Sequence, residues 1–364
     1  MRILQIIDSL VVGGAQDVAT NLAIGFKKSG HESRILLLKN ESFKKNRDRL
    51  RIALVKVKHL NCPIYSISSI LEVEKVIRDF QPDIIQTHLS GFFYFLSNLR
   101  LKKPIVHTVH NLYLADTGPK GRLFNKLMLR YASACVAVSM AAEQSNIKFH
   151  NLKNTYVIKD GINIYDQSAF KNSSLGTIGK KLARKMVLIN VANLIPTKNH
   201  ELLIKSFAIA KKKISHIKLI IAGDGRLKNK LKSLIRSLGL ENEVFLLGHR
   251  SDIQQLLSVS DIFVLSSNVE GLCLSLLEAM ERNLPVISTK VGGVVEIVSN
   301  GKNGIFAESN EQSVSKAIVK LANDAVLRKK LGQNGRKMVK SKYSVDIMVS
   351  KYLKLYSELL IKRQ

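Results

Sequence analysis

Three short segments of this 364-residue chain put chemically capable residues beside backbone that can hold an anion. In SSNVEGLCLSLLEAM (Ser266–Met280), two glutamates, Glu270 and Glu278, are separated by seven residues. Glu270 stands where a loop becomes a helix, and Glu278 lies inside that helix. The helix is rich in Leu and Ala, so it is expected to be largely buried, and a buried carboxylate needs a partner or a ligand. A ribose offers two hydroxyl donors that a carboxylate accepts. NVANLIPTKNH (Asn190–His200) carries Lys198 at the expected start of another helix. An ammonium beside free backbone N–H groups makes a diphosphate site. SLVVGGAQ (Ser9–Gln16) joins a strand to a helix through Gly13 and Gly14, which lets a ligand approach the backbone. It is neither a GxGxxG fingerprint nor a P-loop.

Two further segments repeat the pattern less sharply. HTVH (His107–His110) ends an extended run. Its two histidines point to opposite faces, which disfavours joint metal ligation and leaves His110, nearer the strand end, for a ligand. STKVGGVVEIV (Ser288–Val298) again sets a glycine pair, Gly292 and Gly293, before an acid in a first helical turn, Glu296.

Such residues need a scaffold that brings strand ends together, and the rest of the chain predicts one. Short β-branched runs alternate with amphipathic stretches. Strands are expected at Arg2–Asp8, Arg34–Leu38, Leu54–His59, Asp83–His88, Ile105–His110, Cys135–Ser139 and Tyr156–Lys159. A polar stretch, Asp166–Lys185, reads as a linker. A second series follows at Met186–Val191, Lys218–Ala222, Val244–Leu247, Asp261–Leu265 and Pro285–Thr289. This alternation means βαβ units and parallel sheets. The expected fold is α/β, two doubly wound Rossmann-like domains facing a shared cleft. The expected domains are 1–170 and 171–345, followed by a C-terminal helix, 346–364. Ligands of such sheets bind beyond the carboxyl ends of the strands.

Composition narrows the class. An apolar share of 46% excludes a disordered or fibrous chain. Three scattered cysteines, Cys62, Cys135 and Cys273, form neither a disulfide framework nor a zinc signature and suit a reducing cytoplasm. No signal peptide is read at the start, and no run reaches the roughly 20 apolar residues of a membrane span. Net charge is +29 and is spread over both halves. It points to anionic partners: nucleic acid, anionic lipid or phosphorylated small molecules. Against nucleic acid stand the absence of an RNP-like, helix-turn-helix or zinc signature and an aromatic share of 6% with no Trp.

Taken together, the segments resemble the retaining GT-B glycosyltransferases of family 4, also called group 1, over nearly the whole chain. The Glu270-x7-Glu278 spacing is the most specific part. GGAQ, DGIN (Asp160–Asn163), GDG (Gly223–Gly225), GHRSDI (Gly248–Ile253) and GGVVE (Gly292–Glu296) support it in order. The resemblance implies transfer of a sugar from a nucleoside-diphosphate-sugar, UDP-sugar favoured, to a saccharide or polyprenyl-linked saccharide in surface polysaccharide synthesis. It implies no metal and no cofactor. Catalysis would rest on Glu270, His110 and Lys198. The donor would lie against Gly13, Gly14, Asn193, Lys198, Arg250, Gly271, Leu272, Cys273, Leu274 and Glu278. Asn193 departs from the pattern: the family often has an Arg there, a second cation on the diphosphate. Arg250 is one base that would compensate.

Two readings compete: a sugar-nucleotide 2-epimerase of the same fold, and a basic nucleic-acid-binding protein. A last expectation concerns membranes. In GPKGRLFNKLMLRYAS (Gly118–Ser133), Leu123, Phe124, Leu127, Met128 and Tyr131 share a helical face flanked by Lys120, Arg122, Lys126 and Arg130. FKKNRDRLRIALVKVK (Phe43–Lys58) adds seven bases. Both suit reversible attachment to an anionic membrane surface, with the protein cytoplasmic and peripheral on the inner face.

Overall fold

A computed structural model describes residues 1–11, 13–39, 44–60, 62–63, 66–110, 129–150, 154–170 and 176–362. The chain divides into two compact units: Met1–Asn163 with Tyr343–Gln364, and Ile164–Lys342.

The first unit holds seven strands: β1 (Arg2–Ile7), β2 (Glu32–Leu37), β3 (Lys56–His59), β4 (Ile84–His88), β5 (Ile105–Val109), β6 (Ala134–Ala137) and β7 (Thr155–Val157). They pair in parallel in the order β3-β2-β1-β4-β5-β6-β7. Burial on both faces explains the apolar runs of β1 and β6, whereas the edge strand β3, Lys-Val-Lys-His, is partly exposed. Ile35 and Leu37 pack into one core with Ala19, Ala23 and Leu50. Leu36 and Leu38, one residue out of phase, pack into the other with Val73, Ile77 and Phe80. The last helix, Val345–Ile361, is capped by Ser344 and lies on the helix Gly14–Lys28. Gly25 faces Val349 there with no room for a β-carbon. Tyr352 and Tyr356 are fully buried, and their hydroxyls meet Thr108 Oγ1 at 3.1 Å and Gln86 Oε1 at 2.6 Å.

The second unit holds β8 (Met186–Val191), β9 (Ile217–Ala222), β10 (Val244–Gly248), β11 (Ile262–Leu265), β12 (Val286–Thr289) and β13 (Ile305–Ala307). All are parallel, in the order β10-β9-β8-β11-β12-β13. β13 is a three-residue strand outside the expected series.

The units change at 163/164, ahead of the expected 170/171. Tyr165 and Phe170, at the head of the polar stretch, are bound into the second unit. Tyr165 N–H donates to Glu281 Oε1 at 3.2 Å, and the Arg282 guanidinium lies 4.5 Å from the Phe170 ring centre. Composition marks a polar segment without saying what it packs on. Nor is the stretch wholly irregular: Gln167–Phe170 is a 3-10 turn and Gly176–Leu182 an α-helix. Of Gly118–Ser133, only Leu129–Ser133 is described, with a 3-10 turn at Leu129–Tyr131. Residues 118–128 lie outside the described residues.

Candidate active site

In the second unit, four loops leave the carboxyl ends of neighbouring strands and converge on one ion pair. The loop after β8 runs through Asn193 to a 3-10 turn, Pro196–Lys198, just ahead of the helix His200–Lys211. It is pinned by the GDG turn after β9. Leu194 N–H donates to the Asp224 carbonyl at 2.9 Å, and Leu227 N–H to the Leu194 carbonyl at 3.1 Å. Gly225 stands at φ 157°, where a β-carbon would fall 2.7 Å from the Leu194 carbonyl oxygen, so only glycine permits this approach.

The loop after β11 brings up Glu270. Its carboxylate is 6% exposed, and both oxygens lie 2.7 Å from Lys198 Nζ. Ser267 Oγ donates to Oε1 at 2.6 Å. The two loops are stitched by Ser266 Oγ on the Lys198 carbonyl at 3.0 Å and by Asn268 N–H on the Thr197 carbonyl at 2.8 Å. The loop after β12 supports Glu270 from behind. Gly293 N–H donates to the Glu270 carbonyl at 3.3 Å. Gly292, at φ 43°, sits against that same carbonyl with no space for a β-carbon. Gly292–Glu296 is a 3-10 turn and not the first turn of an α-helix, so this glycine pair positions Glu270 by backbone contact.

Just past Glu270, Gly271, Leu272 and Cys273 are buried and lead into the helix Leu274–Glu281. No side-chain cap by strict geometry closes that helix at Cys273, whose thiol lies against the Leu276 N–H, so the Leu274 and Ser275 N–H groups are the ones an anion would meet. Burial, reinforced by the Glu270 charge, pushes the Cys273 thiol up to about 12. Behind Lys198, burial and the Lys198 charge lower His200 to about 4. Its neutral ring meets Asn190 Oδ1 at 3.1 Å.

Three expected donor residues are placed as follows. Glu278 is half-buried on a helix expected to be largely buried. The fully buried carboxylate is Glu281, paired with Arg282 at 3.1 Å and with Arg336 at 3.5 Å. Arg250 is committed to Asp252, with contacts of 2.8 and 2.5 Å. Asn193 is exposed, and its carbonyl accepts from Ile195 N–H.

In the first unit, Gly13 stands at the N-cap of the helix Gly14–Lys28 with no side-chain cap, and the Gln16 side chain lies over it. His107 and His110 do part company. His107 Nδ1 meets Thr87 Oγ1 at 2.8 Å, whereas His110 Nε2 meets His88 Nδ1 at 3.0 Å with the rings stacked. His88 Nε2 in turn meets Gln5 Oε1 at 3.0 Å. Gln5 Oε1 only accepts, so His88 carries its proton on Nε2 and offers Nδ1 to the His110 Nε2–H. His110 Nδ1 then faces Asp160 Oδ2 at 3.9 Å. Burial raises the Asp160 carboxyl to about 8 and lowers His110 to about 4; the whole row is neutral at pH 7. Among the described residues, no hydrogen-bond partner meets the buried Asp160 Oδ1 or Gln5 Nε2. Sequence reading missed His88, Gln5 and Ser267. His88 carried a signal, since it closes β4 as His110 follows β5, on adjacent strands.

Two doubly wound parallel-sheet units, the second with the Lys198–Glu270 pair at its strand ends, define the α/β class of the chain. Two family models match in tandem. "Glycosyltransferase Family 4" covers residues 12–165, and "Glycosyl transferases group 1" covers 178–338. An uncharacterized glycosyltransferase of Methanocaldococcus jannaschii, MJ1059, is 31% identical over 281 residues, 71% of this chain and 69% of that one. The chain belongs to the GT-B glycosyltransferases of family 4, group 1, and is a glycosyltransferase.

Other relatives vary in length. The poly(ribitol-phosphate) alpha-N-acetylglucosaminyltransferase of Staphylococcus aureus (strain COL) is 26% identical, and the match covers 78% of this chain but 57% of that protein. The UDP-Gal:alpha-D-GlcNAc-diphosphoundecaprenol alpha-1,3-galactosyltransferase of Escherichia coli is 27% identical over 82% of this chain and 81% of that one. Among solved structures, Anabaena Alr3699/HepE in complex with UDP-glucose superposes with a TM-score of 0.86 at 22% identity. It covers 98% of this chain and 100% of that one.

Proposed function

We propose that the chain moves a sugar from a UDP-sugar to a saccharide or lipid-linked saccharide acceptor, with retention at the anomeric carbon and without a metal, in the cytoplasm, as a step in surface polysaccharide assembly. The observation that carries this reading is the Lys198–Glu270 pair beside the uncapped helix at Leu274. A cation, open N–H groups and a carboxylate within one loop cluster match what a departing sugar needs. Negative charge grows on the β-phosphate, and positive charge grows at the anomeric carbon. The E. coli relative's named donor and diphosphoundecaprenol acceptor support the choice of UDP and of a lipid-linked saccharide.

In this reading Lys198 and the N–H groups of Gly271–Leu274 hold the diphosphate and stabilise the leaving charge. Glu278 accepts the ribose hydroxyls, and Arg250 borders the base. Asn193 lines the donor, and Glu270 faces the anomeric carbon. The bond from the anomeric carbon to the β-phosphate oxygen breaks on the face where the acceptor oxygen bonds. The acceptor's proton passes to the departing phosphate, so atoms and charge balance.

A thermal-shift panel of UDP, GDP, ADP and their sugars tests the donor. A ligand at about 100 times its Kd stabilises by about 2.7 kcal/mol. UDP and one UDP-sugar are expected to stand out; a response to GDP alone would replace the base. Incubation with donor alone separates the epimerase, which would return an epimerised nucleotide sugar.

A further inference from the structure

We propose that the Arg250–Asp252 ion pair selects the base of the donor nucleotide: it presents guanidinium donors to uracil and keeps the Asp252 carboxylate from guanine. The inference rests on the UDP-sugar reading and adds to it the residues that choose the base.

The position of the Lys198–Glu270 pair fixes where a nucleoside can lie. Lys198 and the amino end of the helix Leu274–Glu281 follow β8 and β11, the two central strands of the second sheet. Toward β12 the space is taken, because Gly292 and Gly293 pack their backbone on the Glu270 carbonyl. In the other direction lie the ends of β9 and β10. β10 is two strands from β8, roughly 10 Å across the sheet. A base that extends from a diphosphate at Lys198 therefore lies over the loops that leave β9 and β10.

The loop after β10 is built to present side chains there. Its register against β9 shifts between Leu246 and Gly248, and Gly248 takes the left-handed region at φ 67°. Such a shift re-aims the chain that follows. Gly223 N–H donates to the Gly248 carbonyl at 2.9 Å, which locks the turn to the GDG segment. Asp252 then stands at the N-cap of the helix Ile253–Ser258 and gives it no side-chain bond. An aspartate at that position ordinarily accepts from the backbone of its own helix. Here both oxygens go to Arg250 instead, Oδ1 to Nε at 2.8 Å and Oδ2 to Nη2 at 2.5 Å. The pair is not a core contact: Arg250 is 32% and Asp252 24% exposed, so its worth to folding is small. The acid after β9, Asp224, is engaged in the same way, by Lys228 Nζ at 2.6 Å and Gly225 N–H at 2.8 Å.

The two bases ask for opposite partners. Guanine presents neighbouring N–H donors on its pairing edge, which a free carboxylate accepts with both oxygens. Uracil presents two carbonyl oxygens flanking one N–H. Arg250 spends two of its five N–H donors on Asp252, and the others remain for carbonyl oxygens. The pair thus offers donors and withholds acceptors, which favours uracil and rejects guanine.

Calorimetric titration of UDP and GDP into the full chain and its variants tests this. The parent should bind UDP about tenfold or more tighter than GDP. Arg250→Ala frees the Asp252 carboxylate, so GDP affinity should rise about tenfold while UDP affinity falls. Adding Asp252→Asn to Arg250→Ala should abolish the GDP gain. Tm should move little in either variant, and Arg250→Gln carries the same expectation should Arg250→Ala fold poorly. A parent that binds neither nucleotide, or prefers GDP, overturns the donor reading and this inference with it. A parent that prefers UDP, with a UDP-to-GDP ratio that Arg250→Ala moves by less than about threefold, overturns this inference alone. A GDP gain that persists with Asp252→Asn does the same.

Discussion

Replacing Glu270 by Gln should make UDP bind more tightly and sugar transfer run more slowly. Lys198 Nζ is held by both Glu270 oxygens at 2.7 Å, with Lys198 22% and Glu270 6% exposed. At an effective dielectric constant of about 20, the Coulomb attraction at that distance is about 6 kcal/mol, and desolvation cancels most of it. Glu270→Gln preserves shape and the Ser267 contact but removes the charge. Lys198 is exposed enough to regain water, so a folding cost of about 1–3 kcal/mol is expected. A diphosphate arriving at Lys198 then displaces no carboxylate and meets no like charge. UDP affinity should rise about five- to tenfold, roughly 1 kcal/mol or slightly more. Turnover should fall about 10²-fold or more, because a carboxylate that stabilises an oxocarbenium-like transition state is gone. Calorimetric titration with UDP, with initial rates on the same sample, reads both. A folded Glu270→Gln protein with unchanged or weaker UDP binding would refute the competition between carboxylate and diphosphate. A rate loss below about threefold would reduce Glu270 to a positioning residue.

Other outcomes follow from the same geometry. Lys198→Ala should lower turnover more than it lowers Tm, and Glu278→Ala should raise the donor KM; unchanged kinetics in both would remove them from the site. Gly292→Ala should destabilise the second unit and reduce kcat/KM together, since its β-carbon meets the Glu270 carbonyl; full activity at unchanged Tm would contradict the close approach. Glu281→Ala should cost about 3–5 kcal/mol in urea unfolding by stranding Arg282, with donor KM unchanged. The pH dependence is signed. Asp160, raised by burial to about 8, holds a proton in the folded state that the unfolded state releases above its ordinary pKa, so stability falls as pH rises toward 8. His110 and His200, lowered to about 4, and His88 and His31, also lowered by burial, act oppositely, and their effect fades only about one pH unit above their ordinary value of 6.5. Between about pH 7.5 and 8 the Asp160 loss dominates, at up to about 1.4 kcal/mol per pH unit. Asp160→Asn should flatten that slope, and an equal slope in the variant would assign it elsewhere.

The fold was legible because burying a sheet on both faces demands apolar runs and glycine-closed turns, both visible in a string of residues. Met186–Val191 reads directly as β8, and Asn193, Lys198, Glu270 and Glu278 fall on loops or helices after strands because that is where a doubly wound sheet exposes its chain. What escaped depends on contacts across sequence. Nothing local says that Gly292 supports Glu270, that Ser267 shares its carboxylate, or that His88 meets His110. Helical phase also misled at one point. The apolar helix after Cys273 suggested a buried Glu278, whereas the buried acid is three residues on, at Glu281, beside an arginine that neutralises it.

The proposal that most needs a direct measurement is retaining transfer from a UDP-sugar. The purified chain should be incubated with a UDP-α-sugar and a saccharide acceptor in the presence of EDTA, and the product's anomeric proton read by NMR as UDP is released. An α-linked product with stoichiometric UDP, abolished in Lys198→Ala, is the predicted result. A β-linked product, or transfer that persists in Lys198→Ala, would contradict it.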